Sequence, residues 1–205
     1  MLSESVHETL MHVWKTLQPL ECPVALLGGA AMTMWGHARF TKDVDLLFSG
    51  ARKDLDDVVR ELQRNRVVPR SYPPTTPLVG VDLVQCDYQL PDSYVRIQVD
   101  LQFATEDYQM TAVERRIPKV LPPGTEEVDV VACEDLILLK LMAGRAIDMA
   151  DAAFVLRFNA QDIDVEYLLR WGQKQKVWRE LKLIWDEAFP GLAPPNLPPK
   201  DEESE

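Results

Sequence analysis

The chain has 205 residues, of which 46% are hydrophobic and 27% charged, a composition typical of a globular protein with its own core. The formal net charge is −11, so the body of the protein repels polyanions, which disfavours a general nucleic-acid binder. No apolar run is long enough to span a membrane, and the N-terminus lacks a signal-peptide pattern, so we expect a cytoplasmic location without membrane contact. The three cysteines lie far apart, which disfavours a disulfide framework or a zinc site.

The first fifty residues indicate helices alternating with short apolar strands. Apolar residues recur at helical spacing near the N-terminus until Pro19 and Pro23 interrupt the pattern. The Gly28-Gly29 pair ends the first apolar strand and precedes a second helical stretch. We predict helix, strand, helix and strand at residues 4–18, 24–27, 30–35 and 44–48.

The middle of the chain contains most of the expected strands. Four prolines between residues 69 and 77 predict a loop, and the Pro91-Asp92 pair is typical of a turn that joins two alternating strands. A Pro-Pro-Gly turn separates two further strand-like pieces. We predict helices at 52–65 and 107–114, and strands at 67–68, 80–87, 94–103, 117–121 and 127–131.

From Glu134 onward the pattern is helical, with one helix ending near Gly144 and the next beginning at Asp148. Two more helices are expected at 164–173 and 175–188. Residues 190–205 are rich in proline and then acidic, which predicts disorder. The order indicates an α+β fold with a mixed β-sheet flanked by helices. We divide it into a core at 1–131, a helical region at 132–189 and the tail.

Two carboxylates in the second strand are the strongest local signal for chemistry. Asp43 and Asp45 stand at alternate positions, so they project to the same side while Val44 enters the core. Paired carboxylates suit a hard divalent cation such as Mg²⁺ or Mn²⁺. In two-metal sites the ions lie about 3.5–4 Å apart, a distance that such a pair can bridge.

The glycine pair supplies a candidate phosphate-binding turn. Gly28 and Gly29 follow a strand and precede a helix, and without Cβ atoms their N–H groups can closely approach a phosphate. The residues between Gly29 and Asp43 allow one short helix and a return, which brings the carboxylates beside the turn. The GxGxxG pattern of a Rossmann dinucleotide site is not formed, which disfavours that alternative.

Residues 24–48 resemble the nucleotidyltransferase-fold, polymerase-β-like superfamily, in which Gly-Gly precedes Asp-x-Asp within a strand. The match is closer to minimal nucleotidyltransferases and abortive-infection nucleotidyltransferase toxins, which share an Arg-x-Thr-x-Asp-x-Asp run. Here that run is Arg39, Thr41, Asp43 and Asp45. The resemblance implies a nucleotidyltransferase fold, metal-binding aspartates, and a nucleotide site that includes Arg39 and Thr41.

The resemblance also implies a third metal-binding carboxylate on a neighbouring strand. Asp100 is the natural candidate, because Val99 and Leu101 on either side would then face the core. Asp82, in the preceding strand, is the rival candidate.

A second block, at residues 134–156, is similar to the abortive-infection branch. In that resemblance Lys140 reaches the nucleotide phosphates, and Asp151 supports the site. Lys140 stands among leucines, so it either extends toward solvent or meets a buried anion. For Asp148 and Asp151 the alternative is a local role, with Asp148 as the N-cap of the helix.

The favoured function is metal-dependent transfer of a nucleoside monophosphate from an NTP to an acceptor. The resemblance implies a role in a toxin–antitoxin system, with a protein, tRNA or small molecule as acceptor, and with a toxin or antitoxin as a further partner. The alternative is a nucleotide-binding regulatory or antitoxin-like protein with little or no turnover.

Overall fold

The computed structural model describes residues 2–50, 52–122, 124 and 126–192, and the chain divides into two compact units between Ala132 and Cys133. The first unit contains four α-helices and eight strands among its described residues. In chain order they are α1 (Glu4–Leu17), β1 (Val24–Leu27), α2 (Gly28–Met34), β2 (Asp43–Phe48), α3 (Arg52–Arg64), β3 (Val67–Pro69), β4 (Thr75–Leu78), β5 (Val81–Gln89), β6 (Arg96–Ala104), α4 (Asp107–Glu114), β7 (Ile117–Val120) and β8 (Glu127–Val130).

All eight strands belong to one mixed sheet in the order β3-β5-β6-β2-β1-β8-β7, with β4 paired to β5 at an edge. Strand β2 is antiparallel to β1 and parallel to β6. The α+β fold with a mixed sheet and flanking helices is therefore confirmed. Strand β2 is central in the sheet, and its hydrogen-bonded neighbours on both sides fix its register.

The sheet has one apolar face that α1 covers. Alternating residues of β2 and β6, such as Val44 and Val99, are fully buried, whereas the aspartates between them are only half-buried. His12 of α1 stacks on Tyr88 of β5, with ring centroids 4.3 Å apart. The opposite face carries the polar members of the same strands, as the period of two requires.

Most predicted elements lie within two residues of their observed bounds, and strand β4 is the main exception. Residues 69–77 were expected to form a loop because of their prolines, yet Thr75–Leu78 pairs with β5. Pro77 lies opposite Asp82 in that ladder. A proline is tolerated there because an edge strand has one side without hydrogen-bonding partners.

The second unit is helical. It consists of α5 (Cys133–Ala143), α6 (Ala146–Phe158), α7 (Val165–Lys174) and α8 (Trp178–Ala188). The Asp164 carboxylate accepts the Tyr167 N–H at 2.9 Å and so caps α7. The Tyr167 hydroxyl donates to the buried Asp135 of α5 at 2.6 Å, which ties these two helices together.

No helix in the described ranges is long and apolar enough to cross a membrane. The predicted disordered tail lies, from residue 193 onward, outside the residues that the structure describes.

Candidate active site

Three aspartates project from the polar face of two adjacent parallel strands. Asp43 and Asp45 are the alternate residues of β2, and Asp45 stands directly opposite Asp100 of β6 in the ladder. Residues opposite each other in a ladder point to the same side of the sheet. The structure therefore brings the three predicted aspartates to neighbouring positions on one face of the sheet in unit 1.

Asp82, the rival for the third position, lies on the other face. It pairs with Phe103, three residues beyond Asp100, and an odd offset along a strand reverses the side. Asp82 is also buried. Of the two candidates, Asp100 is therefore the one on the same side of the sheet as Asp45.

The glycine turn lies against these carboxylates because Leu27, the last residue of β1, pairs with Asp45. Gly28 has a φ of +62°, and a Cβ added there would lie 1.9 Å from the Asp45 Oδ2 atom. A Cβ added at Gly29 would lie 2.5 Å from the Thr41 hydroxyl. Both glycines are therefore needed for the close approach of the segment that carries the aspartates. Helix α2 begins at Gly28, two residues before the predicted start.

We expect Gly28→Ala to destabilise the protein more than Gly191→Ala. Both glycines have positive φ, which costs an alanine roughly 1–2 kcal/mol, but a Cβ at Gly191 meets nothing within 4 Å. At Gly28 the new methyl group would also overlap Asp45, including its Cβ at 2.9 Å, so strand β2 must shift. Urea unfolding measures both costs, and equal losses would show that the contact with Asp45 is unimportant.

Thr41 orients the first aspartate. Its buried hydroxyl donates to the Asp43 Oδ1 atom at 2.6 Å, which fixes one carboxylate oxygen. Arg39 is half-buried in the connection between α2 and β2. Thr41 thus contacts the site through Asp43, and the nucleotide-binding roles of Thr41 and Arg39 stay predictions.

Two glutamines that the sequence analysis missed hold the third aspartate. The Gln98 amide nitrogen lies 2.8 Å and 2.9 Å from the two oxygens of Asp100, and the Gln85 amide lies 3.3 Å from Oδ1. Arg70 in turn donates to the Gln98 carbonyl oxygen at 2.8 Å. The alternation of Gln98, Asp100 and Gln102 was visible in the sequence as a polar stripe.

The donor chemistry of this face fits a divalent cation. Carboxylate oxygens are the ligands that Mg²⁺ and Mn²⁺ prefer. Within the described ranges, however, no three His, Cys, Asp or Glu side chains are arranged to hold one ion. The strand positions of Asp43, Asp45 and Asp100 are suitable, and their carboxylates must turn toward one another to share a cation.

Lys140 lies in the second unit, where it bonds two buried aspartates. Its Nζ donates to Asp148 at 2.7 Å and to Asp151 at 2.9 Å, and all three side chains are buried. Arg145 also bonds Asp148. Burial alone would raise the pKa of Asp148, but the bonds from Arg145 and Lys140 outweigh burial and lower it below its ordinary value.

The N-cap expected at Asp148 is wrong. Helix α6 begins at Ala146 with Arg145 as its N-cap residue, so Asp148 falls in the first turn and its carboxylate bonds side chains instead. The predicted contact of Lys140 with nucleotide phosphates stays a prediction. Two of its three N–H donors are used by Asp148 and Asp151.

Comparison with known families gives one match over most of the chain. The family described as nucleotidyl transferase AbiEii toxin, type IV TA system, matches residues 13–199. Comparison with curated proteins finds no match. The predicted resemblance to abortive-infection nucleotidyltransferase toxins is thereby confirmed.

Solved structures with the same fold are nucleotidyltransferases or similar to them. An antigenic nucleotidyltransferase-like protein from Paracoccidioides brasiliensis is 19% identical, with a TM-score of 0.57 over 91% of this chain and 90% of that chain. ANT(2″)-Ia in complex with adenylyl-2″-tobramycin is 15% identical, with a TM-score of 0.54 over 85% and 99%. A putative nucleotidyltransferase from Thermotoga maritima is 11% identical, with a TM-score of 0.51 over 85% and 96%. The nucleotidyltransferase fold is thus confirmed.

Proposed function

Because the chain belongs to the family of AbiEii nucleotidyltransferase toxins, we propose that it transfers a nucleoside monophosphate from an NTP to a hydroxyl group of an acceptor, with a divalent cation at Asp43, Asp45 and Asp100. The observation that carries the proposal is the register of β2 and β6, which sets Asp45 opposite Asp100. The glycine turn supports it, because the absence of a Cβ atom at Gly28 lets the backbone of the turn lie directly against the carboxylate of Asp45.

The transfer makes one bond and breaks one bond. The acceptor oxygen attacks the α-phosphorus, the bond from that phosphorus to the bridging oxygen breaks, and pyrophosphate leaves. A divalent cation supplies charge neutralisation on the phosphates. The hydroxyl proton goes to the Asp100 carboxylate or to water. The N–H groups of Gly28 and Gly29 bind phosphate oxygens.

A positive side chain of the first unit completes the proposed site. Arg39 is the residue that we assign to the leaving pyrophosphate, where a preorganised positive charge stabilises the transition state.

The acceptor is proposed to be a protein or a small molecule rather than tRNA. The net charge of −11 repels a polyanion, whereas a single nucleotide is attracted through its metal ion. An antitoxin is the proposed partner, since the family description refers to toxin–antitoxin systems.

Labelled nucleotides test the function directly. The protein is incubated with each α-labelled NTP, Mg²⁺ and a cell extract, and the labelled product is separated into RNA, protein and small molecules. The Asp43→Asn/Asp45→Asn variant is the control for contaminating activity. Label that appears in the wild type alone supports transfer and identifies the acceptor class. Nucleotide binding without any labelled product would favour a regulatory role instead.

We also expect Mg²⁺ together with the accepted NTP to raise the melting temperature. A ligand that binds the folded state at a hundred times its Kd stabilises the protein by about 2.7 kcal/mol. Differential scanning fluorimetry measures the shift, and the Asp43→Asn/Asp45→Asn variant should lack it. A variant that responds like the wild type would exclude these carboxylates as ligands.

A further inference from the structure

A chain of hydrogen bonds extends from Asp100 across the polar face to β5 and the segment after β3. Gln98 precedes Asp100 by two residues on the same face of β6, and it pairs with Asp87 of β5. Arg70 follows β3, and its backbone N–H donates to the Gln85 carbonyl oxygen at 2.9 Å. Its guanidinium bonds both Asp87 and Gln98. Apart from Asp100, the residues of this chain of hydrogen bonds belong neither to the glycine turn nor to the three candidate metal-binding aspartates.

Arg70 determines which end of the Gln98 amide faces Asp100. A guanidinium has only donors, so the Gln98 group that bonds it must be the carbonyl oxygen. The NH₂ group is therefore directed toward Asp100, where it lies within 2.9 Å of both oxygens. Asp87 holds Arg70 in place through a second bond from the same guanidinium. The guanidinium of Arg70, which can only donate, thus sets the orientation of the Gln98 amide.

The two glutamines hold Asp100 on the polar face that it shares with the other two aspartates. Strands β2 and β6 are parallel, and Gln98 stands opposite Asp43 just as Asp100 stands opposite Asp45. Gln85, the second donor to Asp100, lies across from it on β5, the neighbour of β6 on the side away from β2. Each carboxylate oxygen has two lone pairs, and Oδ1 accepts from both Gln98 and Gln85, whereas Oδ2 accepts from Gln98 and keeps a lone pair for a cation.

We propose that Gln98, oriented by Arg70, is a positioning residue that holds the Asp100 carboxylate in place for the divalent cation. The proposal rests on the proposed function, because it requires Asp100 to be a metal ligand. Residues that orient a metal ligand in this way contribute about 10–100-fold to metal affinity.

The sign of the Arg70 effect separates positioning from simple electrostatics. Removing a positive charge near a cation site should strengthen cation binding if Arg70 acts only through its field. If Arg70 acts by orienting Gln98, its removal should weaken binding. In a protein that already lacks the Gln98 amide, removal of Arg70 should then cause no further loss, which a double-mutant cycle detects.

Binding of Mn²⁺ alone to the full chain tests the proposal, with free Mn²⁺ measured by electron paramagnetic resonance. We expect Gln98→Met to weaken binding about 10–100-fold and Arg70→Met to weaken it in the same direction. Gln102→Met is the matched control, since Gln102 lies on the same face of β6 and no described hydrogen bond joins it to Asp100. Thermal unfolding of each variant checks that the fold is kept.

The outcomes separate this proposal from the proposed function. If the wild type does not bind Mn²⁺, or Asp100→Asn binds it equally well, the metal role of Asp100 fails and the positioning role fails with it. If Asp100→Asn weakens binding but Gln98→Met behaves like Gln102→Met, the positioning role alone is overturned. Tighter binding by Arg70→Met would likewise overturn the orientation of Gln98 by Arg70.

Discussion

Replacement of Asp45 by asparagine is expected to lower the rate of nucleotide transfer by about 10²–10³-fold while the protein stays folded. Asp45 stands between the other two candidate ligands, with Asp43 two residues away on β2 and Asp100 opposite on β6. Asparagine keeps the size of the side chain but removes the charge that holds a cation. The rate of label transfer from the accepted NTP measures the effect, and circular dichroism checks the fold.

Asp129→Asn is the matched control for this variant. Asp129 is a half-exposed strand aspartate of the same sheet, on β8, and it is ion-paired with Arg116 at 2.9 Å. Loss of such a surface pair costs only about 0–1 kcal/mol of stability. The rate for Asp129→Asn should therefore stay within about twofold of the wild type. A comparable loss in both variants would mean that Asp45 acts through stability rather than through chemistry.

The local parts of this site could be predicted from the sequence because they depend on short-range geometry. Alternation within one strand places Asp43 and Asp45 on the same side whatever the partners of the strand are. The choice between Asp82 and Asp100 is different, since both occur in alternating strands. It depends on the β5–β6 register, which pairs Asp82 with Phe103, and on the parallel pairing of β6 with β2.

The parts that escaped prediction depend on side chains brought together from distant segments. Gln98 is an unremarkable strand glutamine until Arg70, 28 residues earlier, fixes the direction of its amide. The start of α6 was misplaced for a related reason. Asp148 has the residue type of an N-cap, but its carboxylate is occupied by Lys140 of the preceding helix and by Arg145. The buried ion pairs of Asp148 therefore outweigh its local preference for an N-cap position.

That network leads to the largest expected effect on stability. We expect Lys140→Met to lower the free energy of unfolding by about 3–5 kcal/mol, the usual cost of removing one partner from a buried ion pair. Lys140 is 7% exposed, Asp148 is 0% exposed and Asp151 is 3% exposed. Bulk water therefore cannot solvate the two carboxylates once the ammonium that they share is removed. Urea unfolding at about pH 7 measures the difference.

Lys182→Met is the control for this substitution. Lys182 and Asp186 of α8 are four residues apart on an exposed helix face, with 2.6 Å between the charged atoms. An exposed pair of this kind contributes about 0.3–0.5 kcal/mol. The same change of residue type in the same unit should therefore have a much smaller effect than Lys140→Met. Similar losses for the two variants would contradict a buried network at Lys140.

The pH dependence of the Lys140→Met effect provides a second check. Because the folded-state pKa of Asp148 is lowered, the stability contributed by its charge is complete above the ordinary aspartate pKa of about 3.9 and is lost as the pH falls through the lowered value. Lys140→Met removes one of the cations that lower this pKa. In the variant the buried Asp148 carboxylate has lost one of its cations, so protonation of this carboxylate at low pH restores more stability to the variant than to the wild type. The stability difference should shrink between about pH 7 and about pH 3.5, and a constant difference would mean that packing of the lysine stem, rather than its charge, stabilises these helices.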